Sequence, residues 1–280
     1  MCHLRVDSAL GAAPVTITDR HATGLARYDL QRLRTVVRNA SDGAFRKVNE
    51  FKPATTAKGA KRQIREIGKG FVRTAWAHHS WTSRRGVHAS WLVPVVGEDE
   101  IAACCVSLQM PAGGVAKLRQ WPWLKIPMHA IARGHQRLRD SDWLSVQAEL
   151  RTAAMQSAAV LIISAVHGLK QFAIPANRGL LIGEVADNCL RAKTYIVPPL
   201  ARRWDTVLTA WIRFEQHVPS ELSTAIEHMA LDYQSNVLDA ALEMLAAQLE
   251  PLTFLREPHK PGDDVVGRIW EGARAQEAKR

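Results

Sequence analysis

Hydrophobic positions recur at helical spacing toward both ends of the chain and gather into short β-rich runs in its middle. Tyr28, Leu30, Leu33, Val36 and Val37 can share one helical face, opposite Arg27, Arg32, Arg34 and Arg38, and residues 39–43 are expected to end that helix. A second basic helix is predicted over residues 58–72, with Ile64, Ile67 and Phe71 spaced by three and four; residues 51–56 read as the linker. From Trp76 the texture turns aromatic and β-branched. Val87 and residues 91–96, the polar run 97–100, and the apolar run 101–110 predict a strand, a turn and a strand, which residues 111–114 close. Pro122 and Pro127 bracket an extended stretch, and His129 opens a helix to about Arg139.

Ser141 and Asp142 can cap another helix, carrying Leu144, Ala148 and Met155 on one face and ending near Gln156. Residues 160–163 read as a strand from their length and β-branching. With turns at Gly168 and at 177–179, residues 170–175, 180–185 and 191–197 extend that strand into a four-stranded antiparallel meander. Pro198-Pro199 begins a helix with Leu200, Trp204, Val207, Leu208 and Trp211. Pro219-Ser220 begins a longer one with Leu222, Ile226, Met229, Tyr233, Val237, Ala240 and Met244, so the two predict a helical hairpin. The fold class expected is α+β: an antiparallel sheet meander packed by helices, with basic N-terminal helices (1–75), a core (76–197) and a C-terminal helical hairpin (198–280).

Composition narrows the function classes. At 280 residues with 47% hydrophobic and 23% charged side chains, the chain has material for a sizeable core and is neither collagen-like nor disordered. The longest uncharged apolar run, 158–166, is about half of what a bilayer-crossing helix needs, and the first seven residues do not read as a secretory signal. No membrane partner is expected. The net charge of +10 is uneven: +9 over residues 1–75, +5 over 76–139 and −4 over 140–280. A basic first half suits a polyanion, because clustered Lys and Arg displace counterions from nucleic acid; the alternative is a solvated basic surface. Four cysteines without a C-x-x-C pair point to a reducing cytoplasm, with Cys104 and Cys105 as buried thiols.

The most specific chemical feature lies in residues 126–137. On a helix His129, Arg133 and Arg137 fall at i, i+4 and i+8, so an imidazole and two guanidiniums line one self-repelling stripe. Convergence on a phosphate or carboxylate would relieve that repulsion, since Arg forks bind phosphate and His moves protons near neutral pH. Pairing of Arg133 and Arg137 with Glu149, Asp140 or Asp142, with His129 capping its helix, is the structural alternative. Trp81 beside Arg84 and Arg85 offers a base-stacking platform among cations, and Lys61, Arg62 and Arg65 add positive charge for the same ligand. His78, His79 and His88 lie near Cys104 and Cys105, but the spacing is not that of a zinc site, and no metal is expected. Dinucleotide, P-loop, zinc-protease and nucleophile-elbow motifs are absent from the sequence, so no cofactor is expected.

The string His129-Ala130-x-x-Arg133-x-x-x-Arg137, followed by residues 174–184 and 191–196, resembles small bacterial toxins related to the BrnT and RelE/ParE groups over about residues 120–200. The resemblance implies a curled antiparallel sheet packed by helices and a metal-independent endoribonuclease. It also implies roles: His129 as general acid or base, Arg133 or Arg137 offsetting phosphorane charge, and Thr194 or Tyr195 positioning a phosphate. The expectation is thus a toxin-like or effector-like protein acting on RNA. The competing class is a non-catalytic nucleic-acid-binding module, or an interaction module that takes a protein partner through its C-terminal helices.

Overall fold

The computed structural model describes residues 16–50, 54, 56–71, 74–83, 86–111, 116–167, 170–200 and 209. Two helices come first, α1 (Asp19–Glu50) and α2 (Ala57–Phe71). Four strands follow: β1 (Ala77–Ser83), β2 (Gly86–Val96), β3 (Glu100–Met110) and β4 (Lys117–Pro127). Then come α3 (Met128–Leu138), α4 (Trp143–His167), β5 (Gln171–Pro175), β6 (Leu180–Ala186) and β7 (Cys189–Ile196). The strands form one sheet in the order β1-β2-β3-β4-β7-β6-β5. Two antiparallel meanders meet at a parallel seam, where Leu124 faces Leu190 and Lys125 faces Arg191. A parallel pair needs a long crossover, and α3 and α4 supply it. The α+β class is therefore seen, in a mixed sheet rather than an antiparallel one.

The sheet separates two cores. On one face α1, α3 and α4 bury Leu30, Ile131, Val146 and Leu150 against Ile101, Leu124, Ile126, Phe172 and Leu190. On the other, α2 sets Ile64, Ile67 and Phe71 against Val87, Trp91, Cys104, Val106 and Leu108. Ile67 and Phe71 are fully buried, which stabilises the docked helix by about 1.5–3 kcal/mol each. Cys104, Cys105 and Cys189 are buried and outside any disulfide, and burial pushes the Cys189 thiol up to about 12.

Two one-residue insertions decide which side chains reach these cores. Ala103 pairs with Leu124 and Cys104 with Pro122, which leaves Trp123 as an extra residue of β4. Because side chains alternate, one added residue exchanges the faces: Leu118 packs with the α2 side, whereas Leu124 and Ile126 pack with the opposite side. In β7, Ile182 pairs with Thr194 and Gly183 with Ala192, so Lys193 is extra, and Tyr195 joins Leu190 and Ala192 in the core of the α1, α3 and α4 face. Gly183 sits at this bulge, where a Cβ would lie 2.1 Å from the Arg191 carbonyl oxygen and 2.6 Å from the Phe172 ring.

Several local expectations are corrected. Residues 39–43 do not end α1, which continues to Glu50: Asn, Ser, Asp and Gly cost a helix interior about 0.5–1 kcal/mol each, and the buried row Ala22, Ala26, Leu30, Leu33 and Val37 holds the helix in place. Tyr28 and Val36 belong to its solvent side, at 62% and 51% exposure. Residues 160–163 are helix, not strand; no breaker follows Gln156, and Val160 and Leu161 are buried on α4. The later meander therefore has three strands. Leu144, Ala148 and Met155 do share a stripe of α4, but the buried side is Val146, Leu150, Ala153 and Ala154. The bend at Pro198-Pro199 is described and is not helical; the helical hairpin expected beyond it lies outside the described residues.

The close approaches around Gly183 give one expected outcome. Gly183→Ala forces the β6–β7 bulge to open against backbone and ring, lowering stability by about 1–3 kcal/mol in urea unfolding. Unfolding at the wild-type urea concentration would contradict this packing.

Candidate nucleic-acid interface

Three basic groups of α2 line a cleft of about 590 Å³ on the sheet. Lys61, Arg65 and Lys69 recur every four residues, so they form one stripe, rising about 6 Å per step along the helix. That rise is comparable to the spacing of successive phosphates along a nucleic-acid strand. The opposite wall is β1. His78, Ser80 and Thr82 alternate along it, are exposed, and sit beside Trp91, Ala89 and Val87 of β2, which floor the cleft with Ile64 and Gly68. Helix and sheet are close at Gly68, where a Cβ would meet the Trp91 ring at an ordinary van der Waals distance of 3.4 Å.

Electrostatics separates the three cations of the stripe. Lys69 Nζ bonds Glu66 Oε1 at 2.7 Å, and that bond, outweighing desolvation, holds the Glu66 carboxyl below its usual range. Lys61 and Arg65 are exposed and have no ion-pair partner among the described residues. Arg62, also exposed, is not among the residues lining the cleft. Trp81 is in β1 by its backbone, but its side chain lies outside the described part of the chain, as do Arg84 and Arg85.

The second group of expected residues sits elsewhere, on α3. His129 and Arg137 are exposed and have no partner among the described residues, whereas Arg133 Nη1 bonds Asp19 Oδ1 at 3.2 Å and also Gln136 Oε1. Gln136 Nε2 donates to the same Asp19 oxygen at 2.6 Å. Asp19, at the start of α1, thus takes the place that Asp140, Asp142 and Glu149 were expected to fill. Thr194 is half-buried on β7, and Tyr195 is 1% exposed, its hydroxyl donating to Glu149 Oε2 at 2.7 Å. Burial, then the Glu149 charge, pushes the Tyr195 phenol up, so it stays protonated. Glu149 also accepts from the Arg178 backbone N–H at 3.0 Å and from Arg178 Nε at 2.9 Å. Tyr195 is therefore a hydrogen-bonded part of the core beneath α4, out of reach of a surface phosphate.

Sequence reading missed a buried pair next to the α3 stripe. His135 Nε2 lies 2.8 Å from Asp29 Oδ2, and its Nδ1 lies 2.8 Å from the Asp140 carbonyl oxygen. Both neighbours are acceptors, so with Asp29 ionised the imidazole must carry a proton on each nitrogen. The side chains are 0% and 5% exposed. Burial pulls the imidazole pKa down, but the bonds to Asp29 and to the Asp140 carbonyl, with the charges of both carboxylates, outweigh it and hold the group above 6.5. Its signal in the sequence was a lone His among Ala130, Ile131 and Gly134, on the face that packs.

Among the described residues no group of three or more His, Cys, Asp or Glu is placed to hold a metal ion. No helix described is long and apolar enough to cross a membrane. Compared with known proteins, the chain matches no protein family, no curated protein and no solved structure.

The buried pair carries a pH signature. A histidine raised on folding contributes its full stabilisation below its unfolded value and loses it as the pH climbs through the folded value. Unfolding midpoints should accordingly fall as pH rises above 6.5, and His135→Gln should flatten that slope. Asp29→Ala leaves an unpaired buried cation and should cost about 3–5 kcal/mol at pH 6. A wild-type stability that rises over the same interval would contradict the assignment.

Proposed function

We propose that this chain binds single-stranded nucleic acid, RNA in preference to DNA, through its phosphate backbone in the cleft between α2 and β1. The reading is carried by one observation: Lys61 and Arg65 share a wall of that cleft, uncommitted to any carboxylate among the described residues, opposite an exposed row of polar side chains. Two unpaired cations beside low-dielectric walls attract an anion more strongly than the same charges on an open face. A cleft of this size takes the backbone of one strand, and single-strand binders combine such a positive groove with sequence tolerance. Ser80 and Thr82 supply hydroxyls that can exchange hydrogen bonds with a ribose 2′-hydroxyl, the group that distinguishes RNA.

A second reading, metal-independent RNA cleavage, is favoured by the free surface of His129 and Arg137. In that chemistry the 2′-oxygen attacks the adjacent phosphorus and the 5′-oxygen leaves, giving a 2′,3′-cyclic phosphate; His129 takes the 2′-hydroxyl proton, Arg137 faces the phosphorane charge, and solvent protonates the leaving oxygen. Against it, Arg133 is held by Asp19 and Gln136, and the third cation of the stripe is not free.

Both readings meet in one set of measurements. With labelled single-stranded RNA, fluorescence anisotropy of the double variant Lys61→Glu/Arg65→Glu should show affinity reduced at least tenfold. The slope of log K against log salt should become shallower by about 1.4, which is about 0.7 for each phosphate that the variant no longer neutralises. Both positions are exposed, so circular dichroism should be unchanged. Unaltered affinity and slope would remove the cleft as the binding site. Incubation of RNA with the wild type in chelator should leave it intact; cleavage that disappears in His129→Ala while binding persists would establish the second reading instead.

A further inference from the structure

We infer that the acidic segment 219–250 of this chain docks, within the same molecule, into a groove between α1 and α4. The groove, about 680 Å³, lies apart from the α2–β1 cleft and is lined by the solvent stripe of α4, by Arg32 and Val36 of α1, and by Trp76. Val36, Leu144 and Met155 are exposed at 51%, 69% and 48%, three of the four large apolar side chains most exposed among the described residues. Gathered in one groove, they are the pattern of a surface that a helix covers.

Three features point to one occupant. The first is polar. Arg32 and Arg151 edge the groove, exposed and without a partner among the described residues. The missing component is therefore apolar and anionic. The second is the sequence of the segment: residues 214–255 contain seven Asp or Glu and no Lys or Arg, and the stripe Leu222, Ile226, Met229, Tyr233, Val237, Ala240 and Met244 repeats at helical spacing. No other stretch of the chain pairs an apolar stripe with so one-sided a negative charge.

The third is where the chain leaves the sheet. The end of β7, Ile196, is paired with Leu180, and the Ala176–Gly179 turn beside it carries Asn177, which lines the groove and is bonded to Thr152 of α4 at 3.1 Å. From Leu200, the last residue described there, 18 residues (201–218) separate the chain from Pro219, so segment 219–250 begins within reach of the groove mouth. Docking in cis also needs no second molecule, so its entropic cost is that of closing a short loop.

The test uses the full-length chain with Leu144 replaced by the photo-reactive p-benzoylphenylalanine, prepared as a mixture of isotopically light and heavy protein. Illumination should link position 144 to peptides from 219–250 within single chains, light to light and heavy to heavy. Links that join light to heavy chains, or that never reach residues 219–250, overturn the inference. As an independent readout, Met155→Asp places a carboxylate under the acidic segment. Amide hydrogen exchange across 219–250 should quicken at least tenfold, and exchange identical to wild type would contradict the docking.

Discussion

A single buried ion pair, Asp29 with His135, decides where the long first helix lies, and much else is placed by that helix. Asp29 sits on the buried row of α1, and His135 is fully enclosed on α3. An unpaired charge at either position would be strongly destabilising, so the pair disfavours any docking register that separates the two groups. Farther along α1, Arg34 donates to the carbonyls of Gly97 and Glu98, fixing it to the β2–β3 turn. With 32 residues, α1 is about 48 Å long and reaches α2, where Lys47 Nζ donates to the Glu66 carbonyl at 3.1 Å. Held on one face of the sheet by its buried apolar row, this ion pair and Arg34, the strut thereby positions the basic helix that covers the other.

The two faces of the sheet are covered unequally, and the candidate sites follow from that. Among the described residues three helices lie on one face and one 15-residue helix on the other. A helix about 10 Å wide cannot span four strands, so among those residues the β1 side of its face is uncovered and its polar row meets the cationic stripe of α2. On the α3 side a stripe of the same spacing lies instead beside the start of α1, where Asp19 and Gln136 satisfy one guanidinium. Identical spacing gives different chemistry because the neighbours differ. The groove between α1 and α4 has the same origin in packing: α4 buries one side and leaves an apolar stripe with nothing among the described residues to cover it.

Much of the element order is legible in the sequence because its signals are local. Ile64, Ile67 and Phe71 mark the buried side of α2, Gly97 to Glu100 mark the β2–β3 turn, and Asp142 caps α4 by accepting from the Leu144 N–H at 3.2 Å. What escapes depends on long-range packing. Residues 160–163 resemble a strand yet are helix, because β-branching speaks only weakly against a helix whose apolar side is buried. The parallel joint of β4 with β7 has no sequence mark, and the bulges at Trp123 and Lys193 reverse which residues face inward; Tyr195 looks like a surface group in the sequence for that reason. In the site, Lys61 and Arg65 are visible as charge, whereas His78, Ser80 and Thr82 become functional candidates only once β1 lies beside α2.

Mapping where nucleic acid touches the protein tests the central claim most directly. Ultraviolet crosslinking of bound single-stranded RNA to the wild-type chain, followed by mass spectrometry of the attached peptides, should place the nucleotides on residues 57–71 of α2 and 77–91 of β1 and β2. Attachment concentrated on residues 128–138 of α3, with none on α2 or β1, would contradict the account.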